Sequence, residues 1–178
     1  IRLSLVGSEM CIRDRFSIGI TGTNGKTTVS TLCHQILQNA GQESGLIGTV
    51  ETRIGNEVLT STRTTPEAAE LQALVATMRE RHCRNLVMEV SSHAIALERI
   101  RGSYFAAVGF TNLSQDHLDF HGNMENYFAA KSKLFTYEYA DHAFINIDDA
   151  YGQILAEKTE LPVQTISRFN ESATWHYS

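Results

Sequence analysis

Residues 16–29 read FSIGITGTNGKTTV, and this stretch decides the fold. Phe16 to Ile20 is a short apolar run of strand length. The segment Gly22-Thr23-Asn24-Gly25 then interrupts it. Beyond Lys26, the residues Val29, Leu32, Cys33, Ile36 and Leu37 fall at helical spacing, with Gly41 as a stop signal. A strand that turns through glycines into a helix presents backbone N–H groups and the positive helix end to an anion such as phosphate. Lys26 adds a point charge for terminal phosphates, and the Thr27 hydroxyl is placed to ligate magnesium. The candidate ATP-binding loop is therefore Gly22, Thr23, Asn24, Gly25, Lys26, Thr27 and Thr28. The strict GxxxxGK[ST] pattern is missed because Ile20 stands at the first-glycine position. The competing reading is a glycine turn that only permits a tight connection. Lysine plus hydroxyl at a helix start has no packing purpose and weighs against it.

Outward from this stretch, short apolar runs alternate with amphipathic segments, which predicts an α/β fold with a mostly parallel sheet flanked by helices. Thr49–Ile54 and Glu57–Thr60 flank Gly55-Asn56, a two-residue hairpin turn at the sheet margin. Pro66 suits a helix N1 position, and Leu71, Leu74, Val75 and Met78 form that helix's buried stripe. Leu86–Val90 reads as a buried central strand and Ala106–Thr111 as another. Asn123 caps a helix carrying Met124, Tyr127, Phe128, Leu134 and Phe135 on one face. A strand over His142–Ile147, a helix over Asp149–Glu160 and a last strand over Val163–Ile166 follow. Ile1–Arg15 has neither alternation nor a helical stripe and is expected to be foreign to the fold. Residues 16–178 are expected to form one domain.

The net charge of -5 is modest, which argues against a nucleic-acid or anionic-membrane surface. Cys11, Cys33 and Cys83 are odd in number and widely spaced, which fits a reducing cytoplasm better than a disulfide framework or zinc knuckle. No apolar run reaches the roughly 20 residues that span a bilayer, so membrane insertion is not expected.

Four further residues bear on the chemistry. Glu89 interrupts an apolar strand near its carboxyl end, the usual ligand crevice of an open parallel sheet. A buried carboxylate there needs a partner, and magnesium next to a phosphate loop is favoured over a structural ion pair. Lys131 falls on the apolar stripe of its helix, so its stem should be buried. Desolvation would favour the neutral amine, which can add carbon dioxide. A lysine that snorkels to water explains the residues equally well. His117 and His121 lack the HExxH context of a zinc pair. On the residues alone each reads as a hydrogen-bonded structural histidine.

The form TGTNGKTT resembles the phosphate loop of the Mur ligases and the related folylpolyglutamate synthetases. Thr64-Thr65-Pro66-Glu67, Glu89-Val90-Ser91-Ser92-His93-Ala94, Thr111-Asn112-Leu113 and Asp116-His117-Leu118-Asp119-Phe120-His121-Gly122 follow in the order of the MurE type. The motifs run from Gly19 to Lys131, and the segment after Ser167 carries none. The resemblance implies the central ATP-binding domain of a three-domain cytoplasmic ligase, P-loop NTPase-like and incomplete at its C-terminal end. The N-terminal UDP-binding and C-terminal amino-acid-binding domains would be absent. It implies ATP and two magnesium ions as cofactors, held by Thr27, Glu89, His117 and Lys131, the last as a carbamate formed from carbon dioxide. Lys26, Glu89, His117 and Lys131 would be catalytic. Thr64, Thr65, Ser91 and Arg99 would meet UDP-N-acetylmuramoyl-L-alanyl-D-glutamate, and a free amino acid would be the second substrate. Asn146 and Asp148 resemble a segment near the nucleotide, although helix capping explains them nearly as well. The alternatives are another ligase of the superfamily or a nucleotide-binding fragment inactive on its own.

Overall fold

The central hydrophobic runs pair as a parallel sheet because helical connections carry the chain back across the sheet between them. The computed structural model describes residues 16–177; the expected leader at 1–15 lies outside the described residues. Nine strands form one sheet in the order β4-β3-β2-β5-β1-β6-β7-β8-β9. Its centre is β2 (Ser44–Ile47), β5 (Asn85–Glu89), β1 (Phe16–Thr21), β6 (Phe105–Phe110), β7 (Ala140–Asn146) and β8 (Val163–Ser167), all parallel. At one margin β3 (Glu51–Ile54) and β4 (Glu57–Thr60) form the expected antiparallel hairpin. Gly55 supplies the positive φ of its turn. At the other margin lies the two-residue β9 (Trp175–His176).

The helices are α1 (Lys26–Asn39), α2 (Ala68–Glu80), α3 (Ser92–Ala96), α4 (Leu118–His121), α5 (Met124–Ser132) and α6 (Ala150–Lys158). They divide unequally between the two faces. Residues in register on parallel strands share a face, so Gly45, Leu86, Ser17, Thr21 and Phe110 lie on one side. Met78 of α2 packs at Gly45, Lys131 of α5 reaches Thr21, and the Phe135 ring sits 6.2 Å from Phe110. Among the described residues only α1 covers the opposite face, over β2, β5 and β1. Beyond α1 that face opens into an apolar cavity of about 520 Å3 between Ile18, Val29, Cys33, Phe144 and Ile166.

The helix α1 stands where its spacing predicts, but this asymmetry leaves much of its apolar side uncovered. Its spacing suggests Leu32 and Ile36 as buried, yet they are 52% and 66% exposed, and the buried residues of the helix are Ser30 and His34. The small Ser30 lets the helix approach the sheet, and His34 accepts or donates a hydrogen bond with Ser44 at 2.9 Å. The stripe of α2 agrees better, with Leu71, Val75 and Met78 buried. Pro66 lies ahead of that helix rather than at N1, since Glu67 is the N-cap. Asn123 caps α5 through Asn126 N at 2.8 Å, as expected. The strand β2 and the short helices α3 and α4 are additions, each too brief or too polar to show a period.

Leu134 is fully buried, so Leu134→Ala should cost about 2–5 kcal/mol in urea unfolding. Ile36→Ala should change stability by less than about 0.5 kcal/mol. Equal losses would mean that α1 buries the face its spacing suggests.

Candidate active site

The site is assembled where β1, β5 and β6 end. The chain leaves β1 at Gly22, whose φ is 141° and whose added Cβ would lie 1.9 Å from Thr111 Oγ1. Only glycine allows that approach. Gly25, also left-handed, is the N-cap of α1; no side chain caps the helix and no acidic residue lies in its first turn. Its leading N–H groups thus remain available to an anion.

The loop is held from the β6 side. Thr23 N donates to Asn112 O at 2.9 Å and Asn24 N to Asn112 Oδ1 at 3.0 Å. Thr111 Oγ1 and Asn112 Nδ2 both donate to Asn24 O, at 2.6 and 3.1 Å. The hydroxyls of Thr23 and Tyr127 are 3.2 Å apart. Two amines lie beneath: Lys26 Nζ donates to Gly22 O at 3.0 Å and Thr23 O at 2.8 Å, and Lys131 Nζ donates to Gly22 O at 2.9 Å.

Lys131 is 1% exposed, which settles the snorkelling alternative against it. Burial first, and the nearby Lys26 second, push its ammonium down to about 7. Its amine also lies 4.7 Å from the centre of the Tyr127 ring. Burial likewise lowers Lys26, opposed by the charges of Glu89 and Asp116.

Glu89 closes β5 and is wholly buried. Its Oε2 accepts from Thr27 Oγ1 at 3.1 Å and Thr49 Oγ1 at 2.9 Å, and its Oε1 from Thr49 N at 2.9 Å. The paired threonines join the same network. Thr64 Oγ1 is 3.0 Å from Thr49 Oγ1. Thr65 Oγ1 donates to Glu89 O at 2.9 Å and accepts from Ser91 N at 3.0 Å. Ser91 caps α3 through Ala94 N. Arg99 is ion-paired to Glu67 at 3.0 Å, and Arg63 pairs with the same carboxylate oxygen.

His117 is exposed, adopts a left-handed φ of 53° and has Asp116 3.4 Å away. Its ring centre is 4.8 Å from that of His93 and 6.3 Å from that of Tyr127. His121 is buried against Ser92 Oγ at 2.9 Å, the structural role its residue type suggests. Burial lowers the pKa of His93 and of His121.

Asn146 lines the cavity beside Asn24, Gly25 and Asn112. It does not cap α6: Asp149 does, through Gly152 N at 2.8 Å, while Asn146 Oδ1 accepts from Asp148 N. Asp148 instead accepts from Ser167 Oγ and Arg168 N, which holds its carboxyl below the usual range against the opposing effect of burial.

Thus Lys26, Thr27, Glu89, Thr64, Thr65, Ser91 and Lys131 share one network around the loop. His117 joins it through Tyr127, and Thr28, exposed on α1, and Arg99 lie at its margins. Thr49 carried no signal in the sequence, because its carboxylate partner is 40 residues away. Thr111 and Asn112 stood in a motif without a role.

These features define a phosphate-loop α/β domain with a polar site at the carboxyl ends of its strands. The Mur ligase middle domain matches residues 20–177, and the chain belongs to the Mur ligase family. The match also reaches past Ser167, where the motifs had ended. Over 155 residues the chain is 52% identical to UDP-N-acetylmuramoyl-L-alanyl-D-glutamate--2,6-diaminopimelate ligase of Streptomyces coelicolor, covering 87% of this chain and 30% of that protein. The Corynebacterium glutamicum protein of the same name is 48% identical over 164 residues, 90% of this chain and 32% of its own length. The chain therefore spans about a third of these curated relatives. A solved structure of a ligase of that name superposes with a TM-score of 0.80 at 28% identity, over 93% of this chain and 34% of that one. A bifunctional folylpolyglutamate synthase/dihydrofolate synthase shares the fold at a TM-score of 0.68 and 16% identity, over 100% and 50% of the two chains.

Two tests follow from this geometry. Gly22→Ala should displace Thr111 and weaken anion binding at the loop by at least about tenfold, read by calorimetry; unchanged binding would show that the close approach is dispensable. Between about pH 7 and 10.5 the unfolded chain keeps a proton on Lys131 that the folded chain has released, so stability from this group rises with pH and is lost as pH falls through 7. Lys131→Met should remove that slope in urea unfolding at pH 6.5 to 9.5 (roughly the accessible window) in carbon-dioxide-free buffer.

Proposed function

We propose that this chain is the ATP-binding unit of a ligase that joins diaminopimelate, or a related amino acid, to UDP-N-acetylmuramoyl-L-alanyl-D-glutamate. The observation that carries this reading is the continuous network from the phosphate loop through Glu89 to Thr64, Thr65 and Ser91. It sets a phosphate cradle beside donors suited to an acidic substrate. The names of the similar ligases supply the substrate class.

In the proposed reaction a carboxylate oxygen of the muramoyl peptide attacks the terminal phosphorus of ATP. The bond to the bridging oxygen breaks and ADP leaves. The amine of the incoming amino acid then attacks the acyl carbon, loses a proton, and expels phosphate as the amide forms. There is little covalent work for the protein in the first step, so positioning and charge neutralisation carry it. Lys26 and the leading N–H groups of α1 would offset the charge of the phosphates, and Arg99 would exchange Glu67 for the anionic peptide. The cavity rim at Asn24, Asn112 and Asn146 adjoins the loop, which suits it to the base or sugar of the nucleotide.

The enclosed Glu89 carboxylate is met only by neutral hydroxyl and N–H donors among the described residues. That donor set fits a hard divalent cation completed by phosphate oxygens, with Thr27 and Glu89 as protein ligands. Bound there, magnesium would neutralise and polarise phosphate oxygens. His117 and Lys131 would hold a second ion, the lysine after its amine has added carbon dioxide and become an anion. A pKa near 7 supports this, because much of the amine is then neutral at physiological pH.

The relatives are about three times longer, and we assign to their remaining parts the recognition of the uridine nucleotide and the amino acid. The domain's setting would be the cytoplasm; among the described residues no helix is long and apolar enough to cross a membrane. The chain should bind a nonhydrolysable ATP analogue with magnesium in calorimetry, and Lys26→Ala should weaken binding by about tenfold or more. Phosphate release dependent on the muramoyl dipeptide and diaminopimelate should appear when this chain replaces the matching segment of the Streptomyces coelicolor ligase. Release stimulated by a folate instead would remove the assignment.

A further inference from the structure

Thr49 has no role in the reading above, yet it makes more contacts with Glu89 than any other residue of the network. It follows Gly48 at the end of β2, the strand beside β5, with Ile47 in register with Met88. A Cβ at position 48 would lie 2.5 Å from Glu89 Oε1, so glycine there opens the space the carboxylate fills. Thr49 then grips both carboxylate oxygens, its N–H on Oε1 and its hydroxyl on Oε2, each at 2.9 Å.

The Thr49 hydroxyl has one proton and two acceptor sites. A carboxylate only accepts, so that proton goes to Glu89. The Thr64 hydroxyl, 3.0 Å away, is the alternative acceptor for the same Thr49 proton. The line from Glu89 to the substrate-side Thr64 thus runs through this one proton, which can serve only one of them at a time. Thr49 itself is exposed at the lip of the site, so its side chain contributes little to packing.

We propose that Thr49 is a positioning residue that orients the Glu89 carboxylate for its divalent cation and couples that cation to Thr64; this rests on the nucleotide-binding function proposed above. With Glu89 uncompensated, its charge draws the Thr49 proton away from Thr64. A cation on Glu89 weakens that pull, the Thr49 proton turns to Thr64, and the Thr64 hydroxyl then directs its own proton outward to an anionic substrate. Metal loading and acid recognition are thereby linked through two hydroxyls.

The test uses the chain itself, titrated with a nonhydrolysable ATP analogue over a series of magnesium concentrations. Thr49→Val should raise the magnesium concentration for half-maximal nucleotide binding by about tenfold, the scale of losing one hydrogen bond to a charged group. Thr49→Ser, which keeps the hydroxyl and the N–H, should stay within about twofold of the parent. Thr49→Ser should melt with the parent, and Thr49→Val should melt lower by only several degrees, the scale of one hydrogen bond lost to a buried carboxylate, so both variants stay folded while the magnesium requirement is read. Adding Thr64→Val to Thr49→Val should change nothing more, since the line is already cut. An unshifted magnesium requirement in Thr49→Val, a serine variant as impaired as the valine, or additive effects in the double variant would overturn the inference. A parent chain that binds nucleotide without any need for magnesium, or not at all, would instead overturn the function on which it rests.

Discussion

The loop after β1 must bring its backbone within hydrogen-bonding reach of Thr111 and Asn112, and the rest of the site depends on that approach. Gly22 and Gly25 adopt backbone conformations that an L side chain rarely holds. Four hydrogen bonds from the β6 end fix the resulting shape. Because the loop's N–H and C=O groups are satisfied on its inner side, the start of α1 faces outward with its N–H groups free. A site for anions needs this division, since a loop free to rearrange would lose its aim at the ligand. The two amines on the Gly22 carbonyl, that of Lys131 buried and that of Lys26 partly so, tie α5 and α1 to the same point.

Beside that cationic pole stands one buried carboxylate. Removing a charge from water is costly, and Glu89 is offset here by a backbone N–H and two hydroxyls rather than by an ion pair. Hydroxyls compensate an anion only in part and give way to a cation readily, so the arrangement would suit the proposed divalent ion without a rigid cage. The same hydroxyls reach the paired threonines, so phosphate, metal and acid substrate would be sensed by adjoining groups. Lys131 follows the same logic with opposite sign. Its surroundings disfavour the ammonium, and they can do so because the stem is packed against Tyr127 and beneath the loop.

Unequal cover of the sheet shapes the face beside the loop. Every right-handed crossover that moves from β2 toward β8 places its helix on one face, and only the β1-to-β2 connection moves the other way. The face over β6 and β7 therefore has α1 alone at its margin among the described residues, and Phe144 and Phe16 stay partly exposed. Parallel sheets usually have both faces covered, so this apolar cavity is the open part of the sheet, beside which the proposed nucleotide base would lie.

Much of the fold was legible in the residues because strand runs, glycine stops and caps are local properties. The phosphate loop, the hairpin at Gly55, the Asn123 cap and the buried stem of Lys131 all follow from near neighbours. The helix α1 was legible but its buried side was not, since Leu32 and Ile36 match a helical period yet face outward. Periodicity reports that a helix has an apolar side and cannot report how much of the sheet that side will meet. Ordered motifs brought Glu89, Thr64, Thr65 and Ser91 into one list. Their union through Thr49, the clamp of Thr111 and Asn112, and the capping of α6 by Asp149 instead of its neighbours were decided by the tertiary structure. Hydrogen bonds between residues 40 or 88 positions apart leave no local pattern, since the chain encodes them only through the pairing of β1 with β5 and β6.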